Sequence, residues 1–125
     1  MKINKFNFFF LKKIIKIIIK KKAKKIKIYY INKYNLFDYF IICEGLSNKH
    51  IKIIYNKIDN YIYNKFNIKP YNVEGLKNNE WILINYEFVI INIFLKKVRY
   101  YYKIDKLFNN FITINKKKFI LKNDY

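Results

Sequence analysis

Glycine and proline are almost missing from this chain. Gly45, Gly75 and Pro70 are the only ones among 125 residues. With two glycines no glycine-rich loop can cradle a phosphate, and neither a G-x-S-x-G turn nor a P-loop Gly-Lys-Ser is present. The single cysteine, Cys43, excludes an intramolecular disulfide and fits a reducing compartment. The single histidine, His50, cannot complete a structural zinc site with that one cysteine. Acids are scarce too: Asp38, Glu44, Asp59, Glu74, Glu80, Glu87, Asp105 and Asp124 are the whole inventory. None forms a D-x-D pair able to hold two magnesium ions. A placed nucleophile, acid/base pair or metal is therefore not readable anywhere, and the expectation is a non-enzyme that uses no cofactor.

What the chain has is lysine, isoleucine, asparagine, tyrosine and phenylalanine. Lys and Arg number 27 against 8 acids, for a net charge of +19, and 53% of residues are hydrophobic. That is enough apolar material for one domain with a real core over residues 1–125. The five abundant residue types share A/T-rich codons, so basicity says little about function. The positive field is nonetheless physical and should give salt-dependent association with RNA-rich particles, including non-specific contact with ribosomal RNA. In Lys97-Val98-Arg99-Tyr100-Tyr101-Tyr102-Lys103 aromatic rings alternate with cations, a mixture that can stack bases and track phosphates. A basic RNA-binding module is the second functional reading.

Near the N-terminus, Phe8, Leu11, Ile15 and Ile18 recur at spacings of three and four, and Phe10, Ile14 and Ile17 widen the stripe. This predicts an amphipathic helix over about 5–21. It either packs on a sheet or lies on a membrane surface. Lys12, Lys13 and Lys16 interrupt it too early for a membrane span or a secretory signal. A strand follows at Lys25–Ile31, polar turn material at Asn32–Asn35, and a second strand at Tyr39–Cys43 broken by Glu44-Gly45-Leu46. Cys43 falls in an apolar run and is expected to be buried and inert. Ser47 should cap a helix whose apolar face carries Ile51, Ile54, Tyr55, Ile58, Ile62 and Phe66, ending near Asn67 ahead of Pro70. His50 sits in its first turn.

Tyr71–Glu74 can form a short strand that Gly75 ends. Glu80–Asn85 and Phe88–Phe94 then read as two strands of a hairpin, the second apolar enough to be central in a sheet. Asn85, which tolerates positive φ, sits at their connection. Trp81 either fills the core or stands partly exposed as an anchor for a partner. Lys97–Asn109 predicts a final helix with Tyr101, Ile104 and Phe108 along one side and Leu107 beside them. The tail, 109–125, adds an edge strand or stays loose. The fold class is therefore α/β, a single mixed sheet of about five strands flanked by helices.

Four stretches resemble one family. Asp38-Tyr39-Phe40-Ile41-Ile42-Cys43-Glu44-Gly45-Leu46-Ser47-Asn48-Lys49-His50 is similar to an Asp-Tyr-hydrophobic strand followed by Gly-Thr-Ser-x-Arg-His/Gln. Val73-Glu74-Gly75 resembles its Val-Glu-Gly. Glu80-Trp81-Ile82-Leu83-Ile84-Asn85-Tyr86 resembles its Trp-hydrophobic-Asp-Tyr strand, and Arg99-x-x-Tyr102-x-Ile104-Asp105-x-Leu107-Phe108 its closing motif. Over about 25–108 the chain resembles the ribosomal silencing factor, or Iojap, family. The resemblance implies a nucleotidyltransferase-like domain without catalytic acids. It also implies a cytoplasmic protein, often a homodimer, that binds the large ribosomal subunit through ribosomal protein fourteen of the uL series. There it blocks subunit joining and so represses translation. The partner-binding residues it points to are Glu74, Glu80, Trp81, Asn85 and Tyr86. The sequence departs from the family at Leu46 for Thr, at Asn85-Tyr86-Glu87-Phe88 for Asp-Tyr-Gly-Asp, at Asn92 for His and at Phe108 for Trp.

Overall fold

The structure, a computed structural model, describes residues 5–31 and 39–119. Asp38 and the turn expected at Asn32–Asn35 lie outside the described residues. Helix α1 (Lys5–Lys20) leads into strand β1 (Lys24–Tyr30). Strand β2 (Tyr39–Gly45) is followed by helix α2 (Asn48–Phe66), then β3 (Asn72–Glu74), β4 (Trp81–Asn85) and β5 (Val89–Leu95). Helix α3 (Lys96–Tyr101), a 3-10 turn at Ile104–Phe108, strand β6 (Ile112–Ile114) and a second 3-10 turn at Lys116–Phe119 follow.

Among the described residues six strands form one mixed sheet in the order β3-β4-β5-β2-β1-β6. β5 is parallel to β2 and antiparallel to β4, and the other neighbours pair antiparallel. The expectation of an apolar, central second hairpin strand is met, since β5 lies between β4 and β2 with Val89, Ile91, Ile93 and Phe94 fully buried. Of the two readings of the tail, the edge strand is the one found. β6 extends the sheet beyond β1. β2 runs two residues past Cys43, because its parallel partner continues alongside to Leu95.

Both long helices cover one face of the sheet. Phe10, Leu11, Ile14, Ile15 and Ile18 of α1 and Ile51, Ile54, Ile58 and Ile62 of α2 are all at 0% exposure. Each such burial stabilises by roughly 1.5–3 kcal/mol. The apolar stripe of α1 is thus occupied by the protein's own core and is not left to meet a membrane. Among the described residues no helix is long and apolar enough to cross one. Phe10 packs edge-on to Tyr86 and Phe88 and tilted against Phe66, with ring centroids 4.8–5.5 Å apart.

Local chemistry sets the ends of α2. Ser47 Oγ accepts from the His50 amide at 3.0 Å, and Asn67 ends the helix in the left-handed region with its N–H on the Tyr63 carbonyl. The His50 ring does more than flank this cap. Its Nδ1 accepts from the Leu46 amide at 2.9 Å, so Nε2 carries the proton and donates to the Lys21 carbonyl at 2.7 Å. One neutral imidazole thereby ties the end of α1 to the start of α2.

The final helix is shorter than expected. α3 stops at Tyr101, Lys103 turns left-handed at φ 50°, and the chain re-enters as the 3-10 turn. Tyr101 and Leu107 are exposed, while Ile104 is buried and Phe108 half-buried. The cause is Arg99, which grips Asp105 six residues on. An unbroken helix would point those two side chains away from each other, because only positions three and four apart are neighbours.

Candidate functional site

The strip β3-β4-β5 carries most of the residues singled out from sequence. Register assigns their faces. Trp81 pairs with Phe94, Leu83 with Asn92, Asn85 with Ile90, and Glu74 with Leu83. Directly paired residues share a face, and successive residues alternate. Glu74, Trp81, Leu83, Asn85 and Ile90 therefore lie on the face opposite α1 and α2, while Ile82, Ile84, Ile91 and Ile93 enter the helix-covered core. Leu83, Asn85 and Ile90 are half-buried and Glu74 is exposed. Glu80 is exposed just before β4, its carbonyl accepting from the Leu95 amide at 2.9 Å.

Tyr86 is not on this face. It is 4% exposed and packs against Phe10, inside the core with α1 and α2. Its hydroxyl has no hydrogen-bond partner among the described residues, and burial, with a smaller push from the Asp59 charge, raises its pKa. A residue so enclosed has no surface to offer, which corrects the expectation of Tyr86 as an anchor. The hairpin tip differs as well. Positive φ falls on Glu87, at 74°, and not on Asn85. Asn85 instead shapes the turn, its Oδ1 accepting from the Glu87 amide at 2.7 Å.

Trp81 is neither fully enclosed in the core nor fully exposed. Its ring is half-buried against Phe94, centroids 4.7 Å apart, with exposed Tyr102 at 5.6 Å. Its indole N–H donates to Oδ1 of Asn92 at 2.8 Å. Asn92 is 1% exposed, and its Nδ2 has no hydrogen-bond partner among the described residues. The asparagine therefore fixes the indole plane at the expense of one unsatisfied buried donor. Asn92 drew notice in the sequence only as a departure. Its position opposite Leu83, on the face that carries the only tryptophan, is what connects it to Trp81.

Arg99, which opens the closing motif, is the sole arginine in a chain of lysines, and sequence alone assigns it no structural role. It is 6% exposed. Nε and Nη2 donate to the two Asp105 carboxylate oxygens at 2.8 and 2.9 Å, while Nη1 donates to Glu44 Oε2 at 3.0 Å and to the Lys25 carbonyl at 2.7 Å. One guanidinium thus joins β1, β2, α3 and the 3-10 turn, a geometry that a lysine cannot reproduce. Burial opposes its charge, but the hydrogen bonds and the charges of Asp105 and Glu44 outweigh that and raise its pKa. Asp105 is held below its ordinary value, chiefly by the same hydrogen bonds.

Cys43 lies on β2 at 0% exposure, and burial pushes its thiol up to about 12. Thiolate chemistry is closed to it at neutral pH. Iodoacetamide should leave Cys43 unmodified in the native protein and label it at the rate of global unfolding in urea. Rapid labelling of the native state, read by mass spectrometry, would show this part of the core to be open. Among the described residues no group of His, Cys, Asp and Glu is placed to hold a metal ion.

A family model described as ribosomal silencing factor during starvation matches residues 9–124, a stretch that takes in most of α1 and of the C-terminal segment. The chain is 34% identical over 74 residues to the ribosomal silencing factor RsfS of Bacillus subtilis (strain 168), covering 58% of this chain and 61% of that protein. It is 30% identical over 77 residues to the RsfS of Halalkalibacterium halodurans, covering 62% and 65%. The matched stretch thus spans less than two thirds of either curated relative. Among solved structures, a Chromobacterium violaceum protein superposes with a TM-score of 0.74 at 27% identity, covering 86% of each chain. A Bacillus halodurans protein superposes at 0.72, also 27% identical, covering 84% of this chain and 95% of that one. With three of the four sequence motifs on strands of one mixed sheet, the fourth on α3 and the 3-10 turn, and the family model matched over most of the length, the chain belongs to the ribosomal silencing factor family.

Proposed function

We propose that this protein docks on the large ribosomal subunit through ribosomal protein fourteen of the uL series, using the β3-β4-β5 face. It acts in the cytoplasm, without catalysis, by filling space that the small subunit needs. The observation that carries this reading is a reversal of charge. The chain as a whole is +19, yet residues 71–95, which hold these three strands, contain one lysine and three glutamates, Glu74, Glu80 and Glu87. All three glutamates are exposed. They rim a face whose centre offers Trp81, Leu83 and Ile90. An apolar centre with an acidic rim suits a basic protein partner and repels a phosphate backbone.

Two substitutions test the face. Trp81→Ala should weaken docking by about 2 kcal/mol or more, as truncated aromatic anchors do. It also takes away the donor to Asn92, so its melting point will fall, and binding must be measured well below that temperature. Leu83→Glu leaves the Trp81–Asn92 bond in place and should weaken docking independently. Both are assayed by co-sedimentation with purified large subunits at moderate salt, followed by addition of small subunits. The wild type should remain on the large subunit at one copy and lower the yield of joined ribosomes. Wild-type levels of docking by both folded variants would dismiss this face. Equal binding to both subunits that washes off with salt would favour the basic RNA-binding module instead.

A further inference from the structure

We infer that the basic ledge around α3 is a binding site for single-stranded RNA, adjoining the protein-docking face where Tyr102 meets Trp81 and argued independently of that reading. Two concavities meet there. The larger, about 860 Å³, is lined by Lys25, Lys27, Lys96, Lys103, Lys106 and Lys116. The second, about 650 Å³, shares Lys25 and Lys96 with it and adds Lys24 and Lys97. Two carboxylates, Glu44 and Asp105, also line the larger cavity, and both are already bonded to Arg99. With Arg99 the lining carries seven cations against these two carboxylates, so the cavity stays strongly positive. Such a field is self-repelling in the free protein and is relieved by a polyanion.

Charge alone would accept any polyanion, and the aromatic residues narrow the choice. Tyr100, Tyr101 and Tyr102 follow one another at this ledge, 83%, 74% and 55% exposed. Tyr100 opens onto the larger cavity. Tyr101 and Tyr102 line a third one, about 470 Å³, with Lys97 and Trp81. Three neighbouring rings presented to water beside a lysine-lined channel form a stacking platform. Flat rings need unpaired bases, which duplexes do not offer, while the lysines follow the backbone. Arg99 bonds the Lys25 carbonyl of one wall and Asp105 of the other, so the walls that carry the lysines are tied across the ledge.

The test is fluorescence anisotropy of the intact protein with a labelled single-stranded RNA of about 12 nucleotides, alongside the same sequence as a duplex. Lys96→Gln/Lys106→Gln/Lys116→Gln should weaken single-strand binding about tenfold or more and lower the salt slope by about 2. Removing equal charge from the helical side, Lys5→Gln/Lys57→Gln/Lys65→Gln, should change affinity by no more than about threefold. Tyr100→Ser/Tyr101→Ser should weaken single-strand binding about tenfold with the salt slope unchanged and duplex binding unaffected. All substituted side chains are at the surface, and circular dichroism checks that each variant stays folded. Equal losses from the two lysine triples, or no loss from the tyrosine pair, would overturn the proposal and leave a diffuse polycation.

Discussion

Arg99→Met should lower the free energy of unfolding by about 3–5 kcal/mol, the range for removing one partner of a buried ion pair. The damage concentrates on Glu44. Its side chain is 13% exposed, and its bond to Nη1 is the ion pair that offsets its burial. The Lys25 carbonyl loses its donor at the same time. Asp105, 43% exposed, can turn to water and contributes less. Arg99→Lys should recover little, because one ammonium cannot hold a bidentate carboxylate, a second carboxylate and a carbonyl together. Urea melts supply the number. A methionine variant within about 1 kcal/mol of wild type would show that the clamp orders the ledge without holding the fold.

The same clamp sets a pH dependence. Asp105 is held below its ordinary pKa in the folded protein, first by the Arg99 hydrogen bonds, with burial working against them. A depressed folded pKa gives stability that is complete above the unfolded value, about 3.9, and is lost as pH falls through the folded value. The wild type should therefore weaken progressively in acid below about pH 4. Arg99→Met, with no clamp to lose, should show a flatter acid limb. Urea midpoints measured across that range compare the two directly.

Gly75→Ala should cost about 3 kcal/mol or more. Gly75 has φ +92°, which side-chain-bearing residues rarely adopt, and a Cβ built there would overlap the Trp81 carbonyl oxygen. That obstacle is backbone, so no rotamer change relieves it. Either the turn after β3 opens or the start of β4 moves, and both displace Trp81. Intrinsic fluorescence reads this well, since Trp81 is the only tryptophan. A variant with unshifted emission and an unchanged melt would mean that the turn absorbs a methyl group without moving β4. The glycine of the Val73-Glu74-Gly75 motif thus serves close backbone approach, and through it the placing of the indole.

Legibility in the sequence followed the range of the forces at work. α1 and α2 were readable because apolar spacing, the Ser47 cap and the Asn67 stop are local. The hairpin was readable because two β-branched runs flank a short polar joint. Tyr86 was misplaced although the period of a strand already decides it: positions 81 and 86 are an odd number of residues apart, so they face opposite ways. The break in the last helix was hidden for the opposite reason. It depends on Arg99 reaching Asp105 at the point where Glu44 and Lys25, distant in sequence, arrive. The apolar spacing over Tyr101, Ile104 and Phe108 carries no trace of those partners. Charge totals concealed both candidate surfaces, since +19 is an average over an acidic-rimmed strip and a basic ledge.

One ring contact bears on how the chain reaches this state. Phe119, at 0% exposure, sits against Phe8 of α1 with centroids 5.1 Å apart. β6, just before it, supplies the outer partner of β1. The first helix and first strand are therefore finished by nearly the last residues described. Contacts of such long sequence separation make folding slow, because loop closure precedes any gain from them. During synthesis α1 and β1 are made early and stay incomplete, without the Phe8–Phe119 contact and with one edge of β1 open, until residue 119 can fold back. A chain made only part-way to residue 119 thus leaves apolar surface and a strand edge uncovered, the conditions that favour aggregation.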